Sequence, residues 1–84
     1  MSTYEGWSNR ATWTVALWID NDETLYRYAQ NIGIGAEDDT EVGATIENWL
    51  EEMKPELSGV WADLLAAAWD QVNWTEIGAH VRAE

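Results

Sequence analysis

Eighty-four residues are enough for one core and no more, so a single domain over residues 1–84 is expected. Sixteen Asp and Glu against four Lys and Arg leave a formal charge of −12, a field that repels nucleic acid and anionic membranes and steers the molecule toward basic surfaces. With no Cys, disulfide scaffolds and thiolate zinc sites are excluded; with no apolar run of membrane-spanning length and no basic or apolar stretch in Met1 to Glu5, neither a membrane span nor a secretory signal is expected, and a cytoplasmic protein is.

Disorder does not fit either, because 46% of the residues are apolar and their spacing is periodic. The first periodic segment, Arg10 to Asp20, admits two readings. Trp13, Val15, Leu17 and Ile19 alternate as in a strand, yet Ala16 and Trp18 fill the gaps, and a helix here would be apolar nearly all round and therefore buried. A strand would need a partner, and only short pieces near Ser2 to Tyr4 or Ile32 to Ile34 offer one. An isolated strand is unstable, so a helix is the expectation and a strand its alternative. Asp22 to Ile32 reads as a second helix, supported by Glu23 and Arg27 at i,i+4 and stopped by Gly33. The acidic stretch from Gly33 to Asp39 is the evident loop.

Asp39 to Lys54 carries the clearest helical stripe, with Val42, Ile46, Trp49, Leu50 and Met53 at spacings of three and four. Asp38 and Glu41 have capping-box spacing at its start, and Pro55 ends it or opens the next helix. Leu57 to Val72 follows, with Leu57, Trp61, Leu64, Leu65, Ala68 and Val72 on one face and Asp63 and Asp70 opposite. Asn73 then reads as an N-cap with Glu76 at the third helical position, opening a short last helix. The sum is a mainly α protein, a compact bundle of four to five helices, with residues 10–20 a strand in the alternative. Trp13, Leu17, Trp49 and Trp61 belong in its core. Any of Trp7, Trp69 or Trp74 left exposed would be an interface anchor, since Trp is enriched where binding energy concentrates.

Chemistry is sparse. Asp20-Asn21-Asp22-Glu23 has the look of a calcium loop but places Leu25 where the EF-hand needs Gly, and helix capping explains it better. His80, the single His, reads as structural. There is no phosphate-binding loop, dinucleotide fingerprint or nucleophile elbow, and a helical domain of this size leaves little room for a cleft between paired carboxylates. No catalysis, cofactor or metal is expected. Direct nucleic-acid binding fails for want of cations, because Arg10, Arg27, Lys54 and Arg82 are scattered among acids.

The acids themselves are the candidate site. Glu37, Asp38, Asp39 and Glu41 form a dense patch, and Glu47, Glu51, Glu52 and Glu56 continue it. Carboxylates on successive helical turns lie about 5–6 Å apart, and each DNA strand carries a phosphate per about 3.4 Å of axis. An acidic helix face could thus occupy a basic channel built for nucleic acid, or simply be a solvated face.

Residues 4–26 contain Tyr4, Gly6, Trp7, Asn9, Thr12, Trp13, Val15, Leu17, Trp18, Ile19, Asn21 and Asp22. This pattern, Y-x-G-W-x-N-x-x-T-W-x-V-x-L-W-I-x-N-D, resembles a family of small proteins carried by phages, mobile elements and haloarchaea, and implies no particular chemistry. In overall character the chain also resembles small phage-borne anti-CRISPR proteins directed at type I-C systems. That resemblance implies an inhibitor in the host bacterial cytoplasm that binds the crRNA-guided surveillance complex, Cascade, and keeps it from target DNA. It does not say which residues make the contact. An anti-restriction DNA mimic aimed at a restriction–modification enzyme, and an acidic accessory protein with no inhibitory role, are the alternatives.

Overall fold

Helix starts in this chain are set by Asn and Asp. The computed structural model describes residues 4–83, and among them five helices follow in order: α1 (Arg10–Asn21), α2 (Glu23–Gly35), α3 (Asp39–Glu52), α4 (Val60–Gln71) and α5 (Trp74–Ala83). Asn9 caps α1 by accepting from the Thr12 N–H at 2.9 Å, and Asp22 caps α2 by accepting from the Leu25 N–H at 3.1 Å. Asp38 does the same for α3 through the Glu41 N–H at 2.8 Å, and Asn73 for α5 through the Glu76 N–H at 3.1 Å. Each short polar side chain satisfies a donor that the first helical turn cannot. α4 is the exception: it begins at Gly59, with φ of 62°, and has no side-chain cap.

The protein is a mainly α bundle. Arg10 to Asp20 is helical, and the one β-type pairing among the described residues is a bridge between Tyr4 and Trp7. That bridge closes a two-residue turn in which Glu5 (φ 51°) and Gly6 (φ 87°) both take left-handed backbone. This is the pattern of a tight primed turn, and it explains why a glycine follows Glu5. α2 runs through Gly33, which the sequence suggested as its stop, and ends at Gly35. Gly33 serves packing instead: a Cβ there would stand 3.3 Å from Val81 Cγ1 of α5. The loop before α3 shrinks accordingly to residues 36–38. Pro55 neither ends α3 nor opens α4, because it lies inside the loop 53–59, and α4 begins later than Leu57.

The core is small and aliphatic. Ala16 and Ile19 of α1, Ala29 of α2, Val42 and Ile46 of α3, and Ile77 and Val81 of α5 are buried, with Thr12 beside them. Burying a side chain of Val or Ile size stabilises by roughly 1.5–3 kcal/mol relative to exposure, so these few positions carry much of the fold. α3 and α5 cross at two glycines. A Cβ on Gly43 would overlap the Trp74 carbonyl, and one on Gly78 would overlap the Asp39 carbonyl and stand 2.8 Å from the Gly43 nitrogen. The polar edges are pinned as well. His80 Nε2 lies 2.9 Å from Asp20 Oδ2, joining α5 to α1, and Arg82 Nη1 donates to Asp39 Oδ1 at 2.9 Å, joining α5 to α3.

Several aromatic expectations need correction. Trp49 is half-buried and stacks on Tyr28 with ring centroids 4.3 Å apart, close to its expected place. Trp61 is not in the core, and Leu17 is exposed. α1 buries Thr12, Ala16 and Ile19 and half-buries Val15 against the core, so its all-round apolarity does not mean all-round burial. Trp7, Trp69 and Trp74 are half-buried, against His80 in the first case and against each other in the other two, with centroids 5.0 Å apart in both contacts. The exposed indoles are Trp18 and Trp61.

Candidate binding surface

The eight acids separate into two groups with different duties. Those around the start of α3 hold structure. Asp38 is the N-cap, Asp39 pairs with Arg82, and the Glu41 carboxylate accepts from the Glu37 N–H at 2.9 Å. Acids here also suit the positive end of the helix dipole. Glu41 was expected to reach back to the N-cap residue itself; it reaches one residue further, to Glu37.

The group at the other end has no such explanation. Glu47, Glu51 and Glu52 lie on the second half of α3 and Glu56 follows in the loop, and none of them makes an ion pair among the described residues. Glu51 and Glu52 sit in the last turn of α3, which contains no basic residue. Negative charge at a helix C-terminus opposes the dipole by about 0.3–1 kcal/mol per group. Glu47 and Glu51 are also a like-charge i,i+4 pair, disfavoured by a few tenths of a kcal/mol. These carboxylates work against the local fold. Two of them, Glu47 and Glu51, line a groove of about 210 Å³ between α3 and α4, together with Lys54, Leu65, Trp69 and Asp70.

α4, which forms the other wall, is seated on one edge. Leu65, Trp69 and Val72 are half-buried, Trp69 meets Trp74, and the Asn9 amide donates to the Gln71 carbonyl at 2.6 Å. A second groove, of about 270 Å³ and almost wholly apolar, runs between this edge and Ala11, Thr14 and Val15 of α1. α4 sends no side chain into the core. At its N-terminal half Val60, Trp61 and Leu64 are 65%, 66% and 56% exposed, and Met53 and Leu57 of the preceding loop are exposed as well. The apolar stripe expected from the sequence is therefore present, but four of its six residues, Leu57, Trp61, Leu64 and Ala68, face water.

The surface thus combines carboxylates without ion pairs among the described residues with a helix whose N-terminal half leaves its apolar side chains exposed. Its acids were legible as a charge cluster. Trp18 and Trp61 were missed as surface residues because periodicity marks an apolar face without saying whether anything covers it. Among the described residues no group of three or more His, Cys, Asp or Glu could hold a metal ion, and no helix is long and apolar enough to cross a membrane.

Comparison with known proteins gives a family. Residues 1–83 match the model of a family of unknown function, DUF7249, and the chain belongs to it. No curated protein and no solved structure matches the chain.

Proposed function

We propose that this protein is an inhibitor that acts by occupation: its acids engage the Lys and Arg groups with which a partner protein holds nucleic-acid phosphates. The partner we propose is the type I-C crRNA-guided surveillance complex, Cascade, and the consequence is loss of target-DNA binding. The observation that carries this reading is the set Glu47, Glu51, Glu52 and Glu56, four exposed or half-exposed carboxylates without ion pairs among the described residues, two of them at a helix end that disfavours them. Groups that cost local stability and neutralise nothing among the described residues are suited to neutralising something outside the chain. Glu37, Asp38, Asp39 and Glu41 add to the field, and the net charge of −12 favours encounter with a basic surface.

The structural duties of Asp38 and Asp39 decide how the test is built, since reversing them would damage α3 itself. Glu47, Glu51, Glu52 and Glu56 are changed together to Lys, and helical circular dichroism is checked first. The wild-type chain is expected to prevent purified type I-C surveillance complex from shifting a target duplex in a gel, and the quadruple variant is expected not to. A variant that folds and still blocks DNA would place the occluding surface elsewhere. Inhibition of a restriction–modification enzyme instead of the surveillance complex would replace the partner while keeping the acids. Inhibition of neither would leave the acids a solubility role alone.

A further inference from the structure

We infer that the N-terminal half of α4, with the loop before it, is a docking ridge for an apolar partner surface rimmed by Lys or Arg, and that it anchors the complex which the acids steer. The inference rests on the proposed acidic binding mode and goes beyond it by assigning the apolar part of the contact. Trp61, Leu64 and Val60 fall within one side of α4, with Leu57 and Met53 just before them, and all five are exposed. An exposed group of large apolar side chains marks an interaction site in a small protein, and spacings of three and four are those with which a helix anchors itself in a groove.

Charge selects the occupant. Residues 47–71 contain six acids and one cation, Lys54. A second copy would bring the same acids against the same acids, and an acidic helix would do likewise. A partner with an apolar centre and basic flanks satisfies both features at once. Trp is also the side chain most enriched at binding hot spots, and Trp61 is the most exposed of the seven. The fold has no need of these side chains in place, because α4 is held by its other edge through Leu65, Trp69 and Val72.

The test uses a synthetic amphipathic helical peptide of Leu and Lys, its Leu and Glu counterpart, and the variant Val60→Ser/Trp61→Ser/Leu64→Ser, titrated by calorimetry. Runs at about 0.15 M and about 0.5 M salt separate bulk charge attraction from apolar contact, since screening weakens only the former strongly. The wild-type chain is expected to bind the Leu/Lys peptide at both salts and not the Leu/Glu peptide. The triple Ser variant, with unchanged helical dichroism, is expected to bind at least about tenfold more weakly at the higher salt. Equal binding by the triple variant overturns the inference, as does failure of the wild-type chain to bind the Leu/Lys peptide at higher salt. A wild-type dimer in sedimentation that the Ser changes disperse overturns it in favour of a second copy. None of these outcomes touches the acid-reversal result on the surveillance complex, so the two readings fail separately.

Discussion

Asn9 stands where three helices meet. Its Oδ1 accepts from both the N–H and the hydroxyl of Thr12, its Nδ2 donates to the Gln71 carbonyl at the end of α4, and the fully buried Thr12 hydroxyl accepts from the Asn73 N–H before α5. Asn9→Ala therefore removes a cap and takes away the acceptor of the buried Thr12 hydroxyl's proton. A loss of about 1–2 kcal/mol is expected, read as a fall in Tm of about 4–16 °C in a thermal melt. Asn21→Ala is the control, since its amide only donates to the Leu17 carbonyl in its own helix, and it should shift stability by less than about 0.5 kcal/mol. Equal effects would show that the junction does not depend on Asn9. Glu51 and Glu52 make the opposite case. Changing both to Lys removes two charges from the wrong end of α3 and is expected to raise stability by about 0.5–2 kcal/mol in a denaturant titration, while weakening partner binding. A destabilised double variant would mean that these carboxylates serve the fold. Three of the four caps at this scale, Asp22, Asp38 and Asn73, were legible, because Asn and Asp fall where one periodic run ends and the next begins; Asn9 was not. Their distant partners were not. Glu76 has the spacing of a capping box, yet its carboxylate accepts from the Ser8 N–H, 68 residues away in the chain.

Between elements, the tightest fit is the crossing of α3 and α5, where Gly43 and Gly78 bring two backbones together without intervening side chains. Overpacking a core ordinarily costs about 1–3 kcal/mol, because neighbours shift to admit the added atoms. Here the obstacle is a backbone carbonyl in each direction, which cannot rotate away. Gly43→Ala and Gly78→Ala are each expected to reach or exceed the top of that range and to lower Tm by more than about 12 °C. Gly35→Ala, with open space around it, should leave the melt in place. A mild effect at Gly78 would mean that the helices are free to separate. The sequence supplies the stripe of α3, and Val42 and Ile46 bury as its period requires. It does not reveal a glycine crossing, since a residue without a side chain leaves no mark in a hydrophobic pattern. α4 shows the complementary limit. Its stripe is as regular as that of α3 but lies mostly in water, because period reports the face of a helix while burial depends on whether another element reaches it. α4 packs against α1 and meets α5 through Trp69 and Trp74, and no helix covers Trp61.

Across the molecule this divides stability unevenly. Among the described residues α1, α2, α3 and α5 share every buried aliphatic side chain, and α4 contributes none. Local opening costs little where few apolar groups leave the core. α4 should therefore open below the global unfolding free energy, while α3 and α5, locked at their glycines, open only with the whole. Native-state hydrogen exchange tests this directly: amides of α4 are expected to exchange at least about tenfold faster than the interior amides of α3 and α5. Uniform protection across all five helices would contradict it, and would mean that the Trp69–Trp74 contact and the Asn9–Gln71 bond bind α4 as firmly as a shared core. The same measurement reports on function. A partner seated on Val60, Trp61 and Leu64 would supply the covering surface that the chain itself lacks, so protection in α4 should rise most on binding while that of α3 and α5 changes little. Binding through the α3 acids alone would leave α4 exchanging at its free rate. A helix held by one edge lets an 84-residue chain keep large apolar side chains outside its own core, where a partner can reach them.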